Sequence, residues 1–148
     1  MTRRSRRFSA SIGCFCSNCF GNNGNFHIVH EVEVYPYVWG GSNPATSFDC
    51  SGFVSYVLTN SGLCNTGRLG AQGLYNICTP VATPQPGDLV FFVGTYDTAG
   101  ISHVGFYVGK DEAGNSMFLH CGDPIQYAKL NTSYWQSHFY AYGRPPYN

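Results

Sequence analysis

Between Pro86 and Gly143 the chain repeats one pattern: a short apolar or alternating run, then a turn. Leu89-Val90-Phe91-Phe92-Val93 follows the turn Pro86-Gly87-Asp88, and its unbroken apolarity predicts a buried strand. Thr95–Gly100 is a polar turn, and His103–Gly109 (HVGFYVG) alternates as a second strand should. Lys110–Ser116 reads as a charged hairpin loop and Met117–Cys121 (MFLHC) as a third strand. Gly122–Pro124 then turns the chain into Ile125–Leu130. Thr132 is placed to cap a short helix through Ser137, and His138–Gly143 returns as the final strand. Connections this short join antiparallel neighbours, because a parallel pair needs a crossover of roughly a dozen residues or more.

The first half reads as helical. After the Gly40–Phe48 loop, Asp49 is a plausible N-cap. Phe53, Val54, Val57 and Leu58 then recur at helical spacing and make one apolar stripe. Asn60–Gly62 suits a left-handed helix end. A second, shorter helix is expected over Leu69–Ile77, and residues 79–88, with three prolines, form a turn-rich link. Residues 27–39 (HIVHEVEVYPYVW) suit a short strand or a helix tail that Pro36 ends. Helices followed by hairpin-linked strands predict an α+β domain with an antiparallel sheet.

The chain has 148 residues, of which 43% are hydrophobic and 11% charged, which suits one domain with a real core and argues against disorder. Net charge is zero, but Arg3, Arg4, Arg6 and Arg7 hold half of the basic residues. Residues 8–148 carry four bases against eight acids, a net of about −4, so nothing in the body of the chain suits nucleic acid. No apolar run is long enough to span a membrane. Residues 1–26 read as a disordered or atypical leader ahead of a single domain over residues 27–148. Their arginines superficially resemble a twin-arginine export signal, but no apolar stretch follows. Cys14, Cys16 and Cys19 form CxCxxC without a convincing fourth metal ligand, and His27 and His30 read as surface histidines. No metal and no cofactor is expected.

Cys50 stands at the junction of the Gly-rich loop and the first helix. Unpaired N–H groups and the helix dipole at such a position favour thiolate over thiol. A base is available on the strands that follow. His103 opens one strand and His120 closes the next, so a hairpin would make them cross-strand neighbours at one end of the sheet. The arrangement has the logic of a nucleophile (Cys50), a base (His103) and a group that orients the base (His120). His138 is a competing base, Asp123 a competing orienter and Cys121 a competing nucleophile, though one with no helix dipole to activate it. Cys64 and Cys78 read as buried or idle. Activity is expected to fall at acid pH as the free base is lost.

Five segments in order resemble the motif series of the NlpC-type cell-wall cysteine peptidases: Tyr37-Val38-Trp39-Gly40-Gly41, Asp49-Cys50-Ser51-Gly52-Phe53-Val54, Pro86-Gly87-Asp88-Leu89-Val90-Phe91-Phe92, Ser102-His103-Val104-Gly105-Phe106-Tyr107-Val108-Gly109 and Phe118-Leu119-His120. The resemblance covers roughly residues 35–145 and is nearest to the peptidase half of two-domain wall hydrolases carried by Gram-positive conjugative transposons. It implies a papain-like fold, with the catalytic cysteine at a helix start packed on the sheet. It implies hydrolysis of the γ-D-glutamyl–diamino acid bond of peptidoglycan stem peptides, with Cys50, His103 and His120 as the catalytic trio. By the same resemblance the Tyr37 hydroxyl supports the oxyanion, Asp49 and Ser51 hold the free amine of the stem's L-Ala, and Trp39 walls the cleft. The implied location is extracellular or at the cell wall, although residues 1–26 resemble neither a signal peptide nor the domain that commonly precedes this module. The same Cys-His machinery would also serve an N-acetylmuramoyl-L-alanine amidase or an acyltransferase. A non-catalytic wall-binding module is the remaining alternative.

Overall fold

The structure is a computed structural model that describes residues 35–43, 45–62 and 64–147. The arginine cluster, Cys14, Cys16, Cys19, His27, His30 and the first part of the expected 27–39 element lie outside the described residues. The chain runs β1 (Ser42–Asn43), β2 (Ser47–Phe48), α1 (Cys50–Asn60), α2 (Ala71–Ile77), β3 (Thr79–Val81), β4 (Leu89–Val93), β5 (Ile101–Lys110), β6 (Ser116–Cys121), β7 (Ile125–Lys129), α3 (Ser133–His138) and β8 (Phe139–Arg144). β3 to β8 form one antiparallel sheet in the order β3-β8-β4-β5-β6-β7, while β1 and β2 pair as a small ribbon. This is the expected α+β architecture. Among the described residues no helix is long and apolar enough to cross a membrane.

The sheet is buried on both faces, which explains the unbroken apolar run in β4. Leu89 and Phe91 face a core shared with Phe53, Val54, Val57 and Leu58 of α1 and Leu74 of α2. Val90 and Phe92 face the other way, toward Tyr107, Phe118 and Leu130, with Trp135 and Phe139 packed over them. Six phenylalanines of the two clusters (Phe48, Phe53, Phe91, Phe92, Phe106 and Phe118) are fully buried. Each contributes roughly 1.5–3 kcal/mol of transfer free energy, so the sheet and α1 hold together by apolar burial rather than by ion pairs.

Several elements differ from the sequence expectation. The Pro-rich link contains β3, which pairs with β8 as an edge strand. An edge position tolerates Pro80, since one face of the ladder needs no N–H there. α2 begins at Ala71, two residues later than expected, with Gly70 as its N-cap. The Gly40–Phe48 loop holds β1 and β2. β5 starts at Ile101 rather than His103.

Candidate active site

Local chemistry starts α1 where the sequence expects it. Asp49 is extended and its Oδ1 accepts from Gly52 N–H at 2.7 Å, a side-chain N-cap. The preceding loop folds back on this turn, with Asp49 N–H donating to Gly41 O at 3.0 Å. A Cβ on Gly52 would lie 1.9 Å from that carbonyl, so only glycine fits in the first turn after the cysteine. Cys50 is thereby held at the first helical position, 7% exposed.

The thiol meets β5 at its main chain. Cys50 Sγ lies 3.9 Å from Ser102 O, and the Val104 N–H is directed at the sulfur, so the thiol sits against the peptide groups on both sides of His103. A β-bulge makes this possible. Phe92 pairs with His103 but Val93 pairs with Ile101, so Ser102 is the extra residue. Bulges of this kind re-aim the residues beside them. The Ser102 hydroxyl accepts from Thr95 N–H at 3.0 Å, which holds the bulge in place.

His103 and His120 are brought together, with Nε2 of His103 2.9 Å from Nδ1 of His120. They are not directly opposite, as a simple hairpin would have them. Phe106 pairs with Leu119, so continuing that register sets His120 against Gly105 and makes the two histidines a diagonal pair. Gly105 permits this: a Cβ there would lie 3.0 Å from the His120 Cβ and 2.8 Å from Leu119 O. The rings cross edge to face at 5.0 Å, and Trp135 stacks on His103 at 5.4 Å and 22°. Because Nε2 is taken up by His120, Nδ1 is the His103 nitrogen left for the thiol.

Burial decides the resting charges. Desolvation, then the charge of His120, lowers His103 from 6.5 to about 3, and desolvation lowers His120 to about 4. Desolvation, then the Asp49 carboxylate, pushes the Cys50 thiol up to about 11. The N–H groups of Val104, Ser51 and Cys50 itself act in the opposite direction and are outweighed. The helix start alone suggested a resting thiolate; the folded site holds a neutral thiol beside neutral imidazoles.

Next to the trio lies a cavity of about 350 Å³ whose wall includes Tyr37, Trp39, Tyr96, Ser102, His103 and His120. Trp39 is 71% exposed and meets Tyr96 edge-on, so it belongs to the cleft wall and not to the core. Burial, then Cys50 and Asp49, raises the Tyr37 phenol well above its ordinary range, so it stays a donor. Asp49 and Ser51, expected to hold the free amine of the stem's L-Ala, are hydrogen-bonded to Arg68. Its Nη2 donates to Asp49 Oδ1 and Oδ2 at 3.0 and 2.9 Å, and its Nη1 to Ser51 Oγ at 2.8 Å.

The competing residues are otherwise engaged. His138 Nδ1 lies 2.8 Å from Val93 O, a main-chain bond that fixes it at the end of α3. Asp123 Oδ1 accepts from Tyr37 N–H at 3.1 Å. The Cys121 thiol donates to Phe48 O at 3.2 Å, and burial, then Cys50, holds it protonated. Cys64 is buried and Cys78 partly buried, with burial pushing Cys78 up to about 12.

A sequence profile described as "NlpC/P60 family" matches residues 34–144. The chain belongs to the NlpC/P60 family. It is 41% identical over 116 residues to the bifunctional muramidase/DL-endopeptidase CwlT of Bacillus subtilis, covering 77% of this chain and 33% of that protein. It is 40% identical over 116 residues to the gamma-DL-glutamyl hydrolase of the same organism, covering 74% of this chain and 27% of the relative. The chain thus spans about a third or less of the length of these relatives. Among solved structures, an NLP/P60 family protein similar to lipoprotein, from Staphylococcus aureus, superposes with a TM-score of 0.71 at 34% identity, over 86% of this chain and 46% of that one. The papain-like α+β fold of the family is the fold observed.

Within this NlpC/P60 domain, sequence reasoning missed two residues at the site. Arg68 is the one basic residue between Arg7 and Lys110, and that isolation in a charge-poor body was its signal. Trp135 is one of two tryptophans, but nothing local to its short helix points toward His103.

Proposed function

We propose that this NlpC/P60 domain is a cysteine endopeptidase of the cell wall that hydrolyses the γ-D-glutamyl–diamino acid bond of peptidoglycan stem peptides. The observation that carries the assignment is the His103–His120 contact at 2.9 Å with the Cys50 thiol lying against the peptide groups that flank His103. The bond is chosen from the relatives, one named a DL-endopeptidase and one a gamma-DL-glutamyl hydrolase.

Cys50 attacks the γ-carbonyl carbon while its proton passes to Nδ1 of His103. The thiol rests neutral, so the transfer occurs with attack rather than before it. His103 then carries a proton on each nitrogen, and its Nε2–H donates to Nδ1 of His120, which holds the ring in that orientation. The oxyanion meets the N–H groups at the start of α1 and the Tyr37 hydroxyl. His103 protonates the departing amine of the diamino acid, and the C–N bond breaks to leave a thioester. A water that gives its proton to His103 hydrolyses the thioester and returns the free thiol. Trp135 stacks on His103 and adds to the burial that favours its neutral form at rest.

The test is incubation of the purified protein with L-Ala-γ-D-Glu-diamino acid peptides and with cell wall, with products read by mass spectrometry. The expected products are L-Ala-γ-D-Glu and the free diamino acid, with turnover abolished in Cys50→Ala. Undiminished turnover in that variant would falsify the assignment. Release of an intact stem peptide from the wall would identify an amidase instead, and binding without hydrolysis a wall-binding module.

A further inference from the structure

The base has to carry a charge that its surroundings disfavour. In the mechanism above His103 holds a proton on each nitrogen, yet the residue is 9% exposed and burial, then His120, lowers it to about 3. In the plane of the ring its Nε2 lies 2.9 Å from Nδ1 of His120. Among the described residues, carboxylates form ion pairs with Arg68 and Arg144 and none with His103. Once the thiol has attacked, the negative charge sits on the oxyanion at the start of α1 and no longer on the sulfur.

The face of the ring is where the remaining support lies. Trp135 covers it, with centroids 5.4 Å apart and planes 22° from parallel. Within about 6 Å of an aromatic centroid a cation is attracted by the electron density of the ring face, most strongly for tryptophan. Phe92 also meets His103, at 5.8 Å, but it is tilted by 43° and its face is the weaker one. The indole is built into this position. Phe92, Phe118 and His120 pack on it at 4.7, 5.0 and 5.1 Å. α3, which carries it, is held at both ends, by the Thr132 hydroxyl accepting from Trp135 N–H at 3.4 Å and by His138 Nδ1 at 2.8 Å from Val93 O.

We propose that Trp135 is a positioning residue of the reaction, whose indole face stabilises the imidazolium through which His103 passes when it takes the thiol proton. The inference rests on the endopeptidase mechanism above. Two properties of the indole act in opposite senses. Its bulk adds to burial and favours the neutral ring at rest, whereas its electron-rich face favours the cation over what an equally large apolar wall would allow. The benefit falls on the charged state, so it lowers the barrier without tightening substrate binding.

The experiment changes the face and keeps the bulk. Trp39 and Trp135 are the two tryptophans of the chain, so in Trp39→Phe a supplied tryptophan analogue enters position 135 alone. Mono-, di- and trifluorotryptophan withdraw electron density from the face stepwise with little change in size. Two rates are read: kcat on L-Ala-γ-D-Glu-diamino acid, and alkylation of Cys50 by iodoacetamide followed by mass spectrometry, which needs the thiol proton moved but no peptide bound. Both are expected to fall progressively along the series, by about three- to thirtyfold at the trifluoro end, with KM changed by less than about twofold. A purely structural role would leave both flat, because the packing is preserved. Rates that stay within about twofold across the series overturn the role of Trp135 and leave the endopeptidase assignment standing. A loss confined to KM does the same. If the unlabelled wild type cleaves no peptide, the endopeptidase assignment fails, and the alkylation series by itself then upholds or overturns the support of the His103 cation by Trp135.

Discussion

Replacing Gly105 by Ala puts a methyl group between β5 and β6 where the two imidazoles meet. The new Cβ would lie 2.8 Å from Leu119 O, 2.8 Å from Phe118 Cδ2 and 3.0 Å from His120 Cβ, whereas ordinary contact begins at 3.4 Å. The neighbours must therefore retreat by about 0.4 to 0.6 Å, and two of the three are a main-chain oxygen and a first side-chain carbon, which cannot swing aside. Overpacking of this kind costs about 1–3 kcal/mol, against about 0.4–1 kcal/mol recovered because Ala restricts the unfolded chain, so a net loss near 1–2 kcal/mol is expected. That corresponds to a fall in melting temperature of several degrees, about 2–8 °C per kcal/mol being usual. Catalysis should suffer more than stability. Moving His120 away from Nε2 of His103 unfastens the base, and a displacement of about 1 Å at a catalytic centre can cost about 100-fold in rate. Thermal melts paired with steady-state kinetics on the tripeptide check both numbers, with the loss expected in kcat more than in KM. The loss should also fail to add to that of His120→Ala, since both act on one contact. A Gly105→Ala protein that melts and turns over like wild type would refute the steric argument. Lost stability with kcat intact would refute the dependence of catalysis on the histidine pair.

Acid should act late on activity and early on stability. In the proposed mechanism His103 must be neutral to take the thiol proton, and its value of about 3 keeps it so at pH 5, where an imidazole at 6.5 would be roughly nine-tenths protonated or more. The acid limb of kcat/KM should therefore fall near pH 3–4, and a limb centred near 6.5 would contradict the burial described. Both histidines are depressed in the fold, so the unfolded chain binds protons first. Stability from this pair is complete above pH 6.5 and declines as the pH drops from there toward the folded values, which denaturant melts across pH 4–8 would follow. A third prediction concerns Asp88, 2% exposed, which takes two bonds from Arg144 at 2.8 and 2.9 Å. Arg144→Ala should cost about 2–3 kcal/mol in urea unfolding. It should leave kcat/KM unchanged, since β8 meets β4 there at Leu89, the other end from Phe92 and His103.

Much of this domain is legible in the chain because the signals are short-ranged. The hairpin strands follow from runs and turns a few residues long, and Asp49 caps Gly52 three residues away. A Cys at the first helical position is a local fact, as is a His at each end of a hairpin. The features that escaped are those that a distant partner supplies. β3 is a strand because β8 lies beside it, and no property of Thr79-Pro80-Val81 requires that. The bulge at Ser102 and the diagonal meeting of His103 with His120 depend on register between strands, which hairpin spacing alone does not specify. Arg68 reaches Asp49 across 19 residues of chain, and Trp135 stacks on a histidine 32 positions earlier.

The charge state of the site shows the division most clearly. By itself the sequence determined which side chains stand at a helix start and at strand ends, because period, caps and turns act over a few residues. From those local fields alone Cys50 reads as a thiolate. Only the tertiary structure decided otherwise, by burying the sulfur and both imidazoles. Desolvation is a property of everything packed around a group, so the same cysteine that the helix favours as an anion rests as a thiol.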